Sequence, residues 1–494
     1  MSFKILQGGT VITFDNSTQR IVVLPNTSLT IKDSVIHSLT PTHSTPIPPN
    51  AEIIDVTGKI VSPGFINTHV HTWQSVYRTL GPDVFLARYF GDWLWHLSPK
   101  NAAAFRPDDV YISCLEGYLE GLNAGVTSFL DHAHHNWGRE VVGPGADAAV
   151  DSGARVWWCY DVGEREGFPM EEQWEVFGEV AKKMKAGGLV QPGISLDAVV
   201  GNFGKDAEAV KHTKEMIRYV YLDIWAKEKL LTCRRKLNLK ALTVHHLGGP
   251  WPSHHNSAPA LMCEHKLHND ECPLIFSHGP FLTEEDQLAL RENDSFISIT
   301  PESEMHFGHG SKTGHLISDQ ASLGIDTNWT FSGDILSQAR LWLQTVRLTQ
   351  YHKTLEGGKL PNANPFSVEQ GFLVATRQGG LALKRPDIGV IQVGAKADIV
   401  VFNGDSPSML GWSDAVAAVM LHANTGDIEH VLVDGEFRKR DFKLTNLKWS
   451  HVKERFLEAA RRIQPLVAEP PPMPEKVFGS GEMGDVEIVS TIRS

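Results

Sequence analysis

The chain has 494 residues, with 46 Lys and Arg against 58 Asp and Glu, and a formal net charge of −12. This acidic balance, without any basic block, argues against nucleic acid or an anionic membrane as a partner. The five cysteines are scattered and form no Cys-x-x-Cys pair, which disfavours a thiolate zinc site and fits a reducing compartment. Since there is neither a leader-like start nor an 18-residue apolar run, we expect a soluble, cytoplasmic protein.

Both ends of the chain are rich in predicted strands. In the N-terminal part, short strands are predicted at residues 4–6, 10–13, 20–24, 28–31 and 35–39. Strand-like runs bracketed by glycine return at 397–402 and 430–435. We therefore expect one composite β domain made of residues 1–61 and 388–445.

Between these flanks, residues 62–387 alternate short apolar runs with helix-length segments. The runs are 126–130, 156–159, 194–200, 241–244, 274–276, 296–299 and one ending at 325. This spacing predicts βα units around a parallel sheet, most economically a barrel, with functional groups at the strand ends. Residues 446–494 are expected to form a helix, at 450–463, and an extended or disordered tail.

Metal-ligating side chains follow several of these predicted strands. His69 and His71 end an apolar run, and strand alternation puts them on one side, about 6–7 Å apart. His245, His278 and Asp326 each follow another predicted strand. Imidazole nitrogens with one carboxylate suit Zn²⁺, or Fe²⁺ as a second choice, with a position left open for water.

The stretch from Pro63 to His71 resembles the first-strand motif of the amidohydrolase superfamily, in its cytosine deaminase and chlorohydrolase-like branch. Segments 124–131, 276–278, 322–326 and 394–401 match in the expected order. The resemblance implies an α/β fold: a distorted (β/α)8 TIM barrel with a β-sandwich domain formed from both termini. The barrel would be residues 62–387.

The resemblance also implies the roles of the candidate residues. His69, His71, His245 and Asp326 would hold the metal, and His278 would bind the metal or the attacking water and leaving group. Asp326 would take a proton from the metal-activated water and pass it to the leaving group.

The residues near the fourth and fifth predicted barrel strands bear on the number of metal ions and on the choice of one ligand. Binuclear relatives carry a carboxylated lysine at the end of the fourth strand, and 194–200 offers none, so one divalent metal is expected. His246 is an alternative to His245, which is preferred because it closes the apolar run.

The sequence departs from the deaminases of this branch at one position. They carry a glutamate three residues after the fifth-strand histidine, and counting from His245 reaches Gly248. The nearest replacement by position is Glu304, alone or together with His306, and it would replace the absent acid or anchor a polar group of the substrate. Burial would raise the pKa of such a carboxyl into a useful range. The alternative is that Glu304 is a structural carboxylate.

Dense aromatic residues after the first strand would form a flat apolar slot for a ring or, equally well, pack together under a lid. The predicted substrate contacts are Gln74, Arg78, Trp93, His134, His306 and Asn328.

Together these features predict a metal-dependent hydrolase acting on a non-peptide carbon–nitrogen bond of a small, cyclic or aromatic substrate. The alternatives are an aminohydrolase (deaminase) or dechlorinase of an N-heterocycle and, in another class, a non-catalytic metal-containing binding or scaffold protein. Oligomeric state, including a homo-oligomer, is left open.

Overall fold

The computed structural model describes residues 2–91, 93–95, 98–163, 165–184, 188–197, 238–252, 258–264, 266–445 and 449–489. Its strands are β1 (Phe3–Asp15), β2 (Arg20–Lys32), β3 (Val35–Pro41), β4 (Glu52–Asp55), β5 (Ile60–Pro63), β6 (Phe65–His71), β7 (Val126–Ala133), β8 (Arg155–Asp161), β9 (Val190–Ser195), β10 (Ala241–Gly248), β11 (Leu274–Phe281), β12 (Phe296–Ile299), β13 (Ala321–Leu323), β14 (Asp326–Thr327), β15 (Ile399–Phe402), β16 (Ile428–Val433), β17 (Glu436–Arg440) and β18 (Lys443–Leu444).

The α-helices of the same described residues are α1 (Leu86–Tyr89), α2 (Pro99–Ala104), α3 (Pro107–Asn123), α4 (Arg139–Ser152), α5 (Met170–Lys183), α6 (Pro259–Glu264), α7 (Glu284–Glu292), α8 (Pro301–His306), α9 (Ile335–Glu356), α10 (Val368–Ala375), α11 (Arg377–Ala382), α12 (Ala415–Ala417) and α13 (Trp449–Val467). A 3₁₀ helix, Thr72–Tyr77, follows β6 directly. No helix in these ranges combines the length and apolarity needed to cross a bilayer.

One sheet is assembled from both ends of the chain, in the order β18-β17-β16-β15-β5-β1-β2-β3, with β4 paired to β1. The separate strands predicted at 4–6 and 10–13 are in fact one strand, β1, because the ladder continues past a bulge near Gly9 instead of turning. The strands predicted at 20–24 and 28–31 are likewise joined in β2. Long, alternating strands with one buried face give this terminal sheet its own apolar core.

The second sheet is parallel and runs β13-β12-β11-β10-β9-β8-β7-β6-β14. Its eighth strand is broken at Gly324 and Ile325: β13 pairs with β12, and β14 pairs with β6. The strand order therefore closes on itself, so the predicted distorted barrel and the sheet made from both termini are confirmed. Residues 198–200 of the predicted fourth strand lie outside the described residues.

The chain after the terminal sheet returns to the barrel. Helix α13 extends the predicted helix at both ends and packs against α3 and the 3₁₀ helix. The indole Nε1 of Trp93 donates to the carbonyl of Val467 at the end of this helix, over 3.0 Å. Beyond it, the ring of Phe478 lies 4.8 Å from that of Phe90, so part of the tail covers the aromatic residues above the barrel.

Candidate metal centre

A cluster of imidazoles and one carboxylate lies at the carboxyl ends of the barrel strands. His69, His245, His278 and Asp326 each direct a ligand atom into a group whose members lie within 4.8 Å of one another. His71 joins them, because its Nε2 lies 3.4 Å from Asp326 Oδ1 and the same oxygen is 3.2 Å from His69 Nε2. The structure thus brings together all five residues expected at the metal site.

The other ring nitrogen of each imidazole in the cluster is held by a second group. His71 Nδ1 donates to the His132 carbonyl over 2.8 Å. His69 Nδ1 lies 2.8 Å from the hydroxyl of Ser277, and His278 Nδ1 lies 2.8 Å from that of Thr300. Such contacts fix the ring orientation and leave the remaining nitrogen for a metal or a ligand. This donor set of nitrogen and carboxylate atoms fits Zn²⁺ or Fe²⁺ better than Ca²⁺ or Mg²⁺.

Asp326 is the anionic group of the cluster. Burial opposes its charge, but its contacts with the imidazoles of His69 and His71 outweigh that cost and hold the pKa of Asp326 well below its usual range. Its second oxygen, Oδ2, accepts a hydrogen bond from the Ser303 hydroxyl over 2.6 Å. Burial lowers the pKa of His69 well below its usual range, so that ring is neutral and able to ligate.

Asp197 is a site residue that the sequence interpretation missed. Its Oδ2 lies 2.5 Å from His245 Nδ1 and 2.9 Å from His132 Nε2. Burial works against the charged pair, yet the Asp197 carboxylate raises the pKa of His245. Its position two residues after β9 is the strand-end signal that found the other ligands. His246 is the alternative to His245 that the sequence left open; it is buried with both ring nitrogens unpartnered among the described residues and does not join the cluster.

A cavity opens over the cluster. Its aromatic wall is formed by Tyr89, Phe90, Trp95, Phe307 and Trp329. These rings come from the segment after β6, from the loop after α8 and from the segment after β14. An aromatic wall above a cluster of polar groups suits a small heterocyclic molecule.

Only two of the six predicted substrate contacts lie on the cavity wall. Gln74 lines it and donates from Nε2 to the Tyr89 hydroxyl over 3.2 Å. His134 lines it too; its ring stacks on His71 at 3.8 Å between centroids, and its Nδ1 accepts a hydrogen bond from Trp73.

The other four predicted contacts are engaged or placed elsewhere. Arg78 is held by Glu116 and Glu120, because its guanidinium forms ion pairs with both at 3.0 and 2.6 Å. Asn328 donates to Glu120 over 2.8 Å. Trp93 bonds to the end of α13, as described above, and His306 is exposed beside Phe331. None of these four lines the cavity.

Glu304 is buried but does not line the cavity. Its Oε1 accepts a hydrogen bond from the backbone N–H of Thr300 over 3.0 Å, at the start of α8. Burial raises the pKa of Glu304 to about 8. The expected rise in the pKa of Glu304 is therefore present. Its hydrogen bond to Thr300, however, is one that a structural carboxylate makes at the start of a helix. Its catalytic role stays a prediction.

The place of the family's glutamate is closed to any side chain. A Cβ on Gly248 would lie 2.4 Å from the carbonyl oxygen of Phe281, and one on Gly249 would lie 2.6 Å from its ring. Both glycines have positive φ, at 74° and 58°. At both positions, therefore, the backbone conformation and the closeness of Phe281 leave no room for a glutamate side chain. This holds whether Gly248 or Gly249 is aligned with the family's glutamate.

The barrel and its cluster define a class of protein: a metal-dependent hydrolase with its site at the carboxyl ends of the strands. The Amidohydrolase family model matches residues 60–438, most of the chain, and the chain belongs to that family. It is accordingly a hydrolase of carbon–nitrogen bonds that depends on a divalent metal and acts on a small molecule, as the sequence predicted.

Several named proteins are similar to most of this chain. The 5-methylthioadenosine/S-adenosylhomocysteine deaminase of Thermococcus sibiricus is 25% identical over 393 residues, which cover 78% of this chain and 83% of the relative. The 5'-deoxyadenosine deaminase of Methanobrevibacter smithii is 23% identical over 422 residues, covering 84% and 88%. A zinc-bound adenosine deaminase structure from Xanthomonas campestris has a TM-score of 0.73 at 16% identity, covering 94% of this chain and 98% of that one. This last likeness shows the fold.

Proposed function

We propose that the chain is an aminohydrolase that releases ammonia from an amino-substituted nitrogen heterocycle. Adenine nucleosides without a free 5'-hydroxyl are the first candidates, since the relatives described above carry the names of such deaminases. The observation that carries the proposal is the position of the imidazole and carboxylate cluster at the base of an aromatic-walled cavity.

His69, His71, His245 and Asp326 would hold a divalent metal, with zinc as our first choice, which when bound would lower the pKa of a water molecule. Asp326 is ionised at neutral pH, so its carboxylate accepts a proton from the water that adds to the amino-bearing carbon. The same carboxyl returns that proton to the leaving amine, and ammonia departs as the C–N bond breaks. His278, oriented by Thr300, lines the cavity and hydrogen-bonds the oxygen added to the carbon.

We propose one metal per chain. A second group of potential ligands exists, made of His132, Asp197 and His245. It shares His245 with the first group, and the hydrogen bond from His245 Nδ1 to Asp197 makes that carboxylate an orienting group for the ligand. Metal analysis of the purified protein should give about one equivalent; two equivalents would contradict the proposed count.

The reaction is tested by measuring ammonia release from 5'-deoxyadenosine, 5'-methylthioadenosine and aminotriazines with the zinc-loaded protein. We expect turnover of at least one adenine nucleoside. Chelation should abolish it, and Asp326→Asn should lower kcat by about 10²-fold or more. Release of chloride from chlorotriazines with no ammonia from any amino compound would instead identify a dechlorinase.

A further inference from the structure

His309 is buried beside the metal cluster with no hydrogen-bond partner. It is 2% exposed, and both of its ring nitrogens lack a partner among the described residues. The ring nevertheless lines the cavity and lies 4.6 Å from that of His278, edge to face. Burying a polar group without a partner is costly, so a bound molecule that supplies the partner recovers this cost.

The loop that carries this imidazole is tightly packed. Trp251 donates from Nε1 to the His309 carbonyl over 3.0 Å, and the ring of Phe307 stacks on that of His309. Gly310 has a φ of 98°, and a Cβ there would lie 2.7 Å from the ring of Phe281. The loop therefore packs tightly enough to fix the direction of the His309 ring.

Phe281 also shows where this loop lies relative to the missing glutamate. The same ring that excludes a side chain from Gly249 excludes one from Gly310. The His309 loop thus packs over the end of β10, the strand from which the family's glutamate would extend. His309 is the polar side chain that this packing brings to the cavity.

We propose that His309 hydrogen-bonds a ring nitrogen of the heterocycle bound at the metal centre, and so provides the contact that a glutamate at the end of β10 would make. This inference rests on the proposed function and assigns a substrate-contacting residue to it. A neutral imidazole carries one N–H donor and one acceptor nitrogen, which suits an azine nitrogen or an adjacent N–H. His309 lies outside the four residues grouped as ligands, so it remains available to the substrate.

The test measures the equilibrium binding of adenine and of its 1-deaza and 3-deaza analogues to the zinc-loaded protein. Tryptophan fluorescence is the readout of binding. His309→Phe keeps a ring between Phe307 and His278 but removes both nitrogens. His309→Gln and His309→Asn keep an amide near the positions of Nε2 and Nδ1, respectively. Zinc content and thermal unfolding are measured for every variant.

We expect the wild-type chain to bind adenine about tenfold more tightly than the analogue that lacks the contacted nitrogen. His309→Phe should bind all three rings equally, and one of the two amide variants should restore part of the preference. A preference that persists in His309→Phe, or its absence in the wild-type chain, would overturn the inference. If His309→Phe does not fold, the two amide variants decide. The inference would be overturned if both of them show the same ring preference as the wild-type chain.

This outcome is separable from that of the proposed reaction. Ammonia release with the same kcat/KM in wild type and His309→Phe would leave the aminohydrolase standing and refute the role of His309. A ring preference that depends on His309, without ammonia release from any compound tested, would support the contact and refute the reaction.

Discussion

At the scale of single residues, the two strand-end groups closest to the proposed chemistry have unusual backbone conformations. His278 has a φ of 74° and Asp326 a φ of 68°. Left-handed conformations of residues other than glycine cost roughly 1–3 kcal/mol and persist where the surroundings enforce them. Here the hydrogen bond between His278 and Thr300 and the one from Ser303 to Asp326 hold both side chains over the cavity. Strain at this point is consistent with a site selected for geometry over stability.

Asp197 orients His245, and its removal should weaken metal binding. We expect Asp197→Ala to lower the affinity for zinc by about 10- to 100-fold, because the imidazole loses the acceptor that fixes its orientation. Competition with a chromophoric chelator measures the change. Asp405→Ala removes an exposed carboxylate elsewhere and is the control. Equal zinc affinities in the two variants would show that Asp197 does not support the site.

Glu304 should make the stability of the metal-free protein depend on pH. Its folded pKa is about 8, against roughly 4.3 in an unfolded chain. Between these values the folded state holds a proton that the unfolded state has released, so stability is full below about pH 4 and falls as the pH rises to 8. Glu304→Gln keeps the acceptor for Thr300 but cannot ionise. Its free energy of unfolding should therefore decline less than that of the wild type between pH 5 and 8, as measured by urea denaturation.

The same variant tests the catalytic role predicted for Glu304. Since its carboxyl caps α8 and does not line the cavity, we expect Glu304→Gln to keep kcat and KM within about twofold, a rate difference of less than 1 kcal/mol. If kcat falls by a factor of a hundred while the zinc content is unchanged, Glu304 acts as the proton donor after all. That result would also argue against the proposed contact between His309 and a ring nitrogen of the substrate.

At the scale of elements, the ends of the barrel strands were predictable because the alternation and the position of a strand end are local properties. They place His69, His245 and Asp326 together without knowledge of the loops. Contacts made by loops and helices were not predictable in this way. Arg78 is held by acids on α3, and His309 reaches the cavity through a turn between two glycines that no periodicity signals.

The break in the eighth strand is an element whose packing positions a ligand. A Cβ on Gly324 would lie 2.8 Å from the Cβ and the carbonyl oxygen of His69, and 2.8 Å from Ser298 Oγ. Gly324→Ala should therefore displace β6, destabilise the fold by about 1–3 kcal/mol and reduce zinc occupancy. The matched control is Gly178→Ala in α5, where a Cβ meets nothing within 4 Å and should stabilise the helix by up to about 1 kcal/mol. Similar stabilities and zinc contents in the two variants would refute this account of the break.

At the scale of the whole molecule, one buried ion pair joins the barrel to the terminal sheet. Arg155, at the start of β8, donates to both carboxylate oxygens of Asp398 at 2.8 and 3.0 Å, and both side chains are at most 5% exposed. The backbone of Asp398 also accepts from Gly64 between β5 and β6. This explains the aspartate in the 394–401 motif: its carboxylate ties the sheet made from both termini to β8 of the barrel.

Asp398→Asn should therefore destabilise the whole fold and not only one sheet. Removing the charge of Asp398 leaves the buried Arg155 guanidinium with the partly exposed Asp434, 3.2 Å away, as its remaining counter-ion. Breaking a buried ion pair in this way costs about 3–5 kcal/mol. Asp319→Asn is the matched control, because Asp319 forms the same two-point contact with Arg291 while their side chains are 54% and 40% exposed. Exposed pairs contribute at most about 1 kcal/mol. Urea denaturation followed by circular dichroism should show a single transition shifted to lower urea only in Asp398→Asn; an early, separate transition there would mean that the terminal sheet unfolds independently of the barrel.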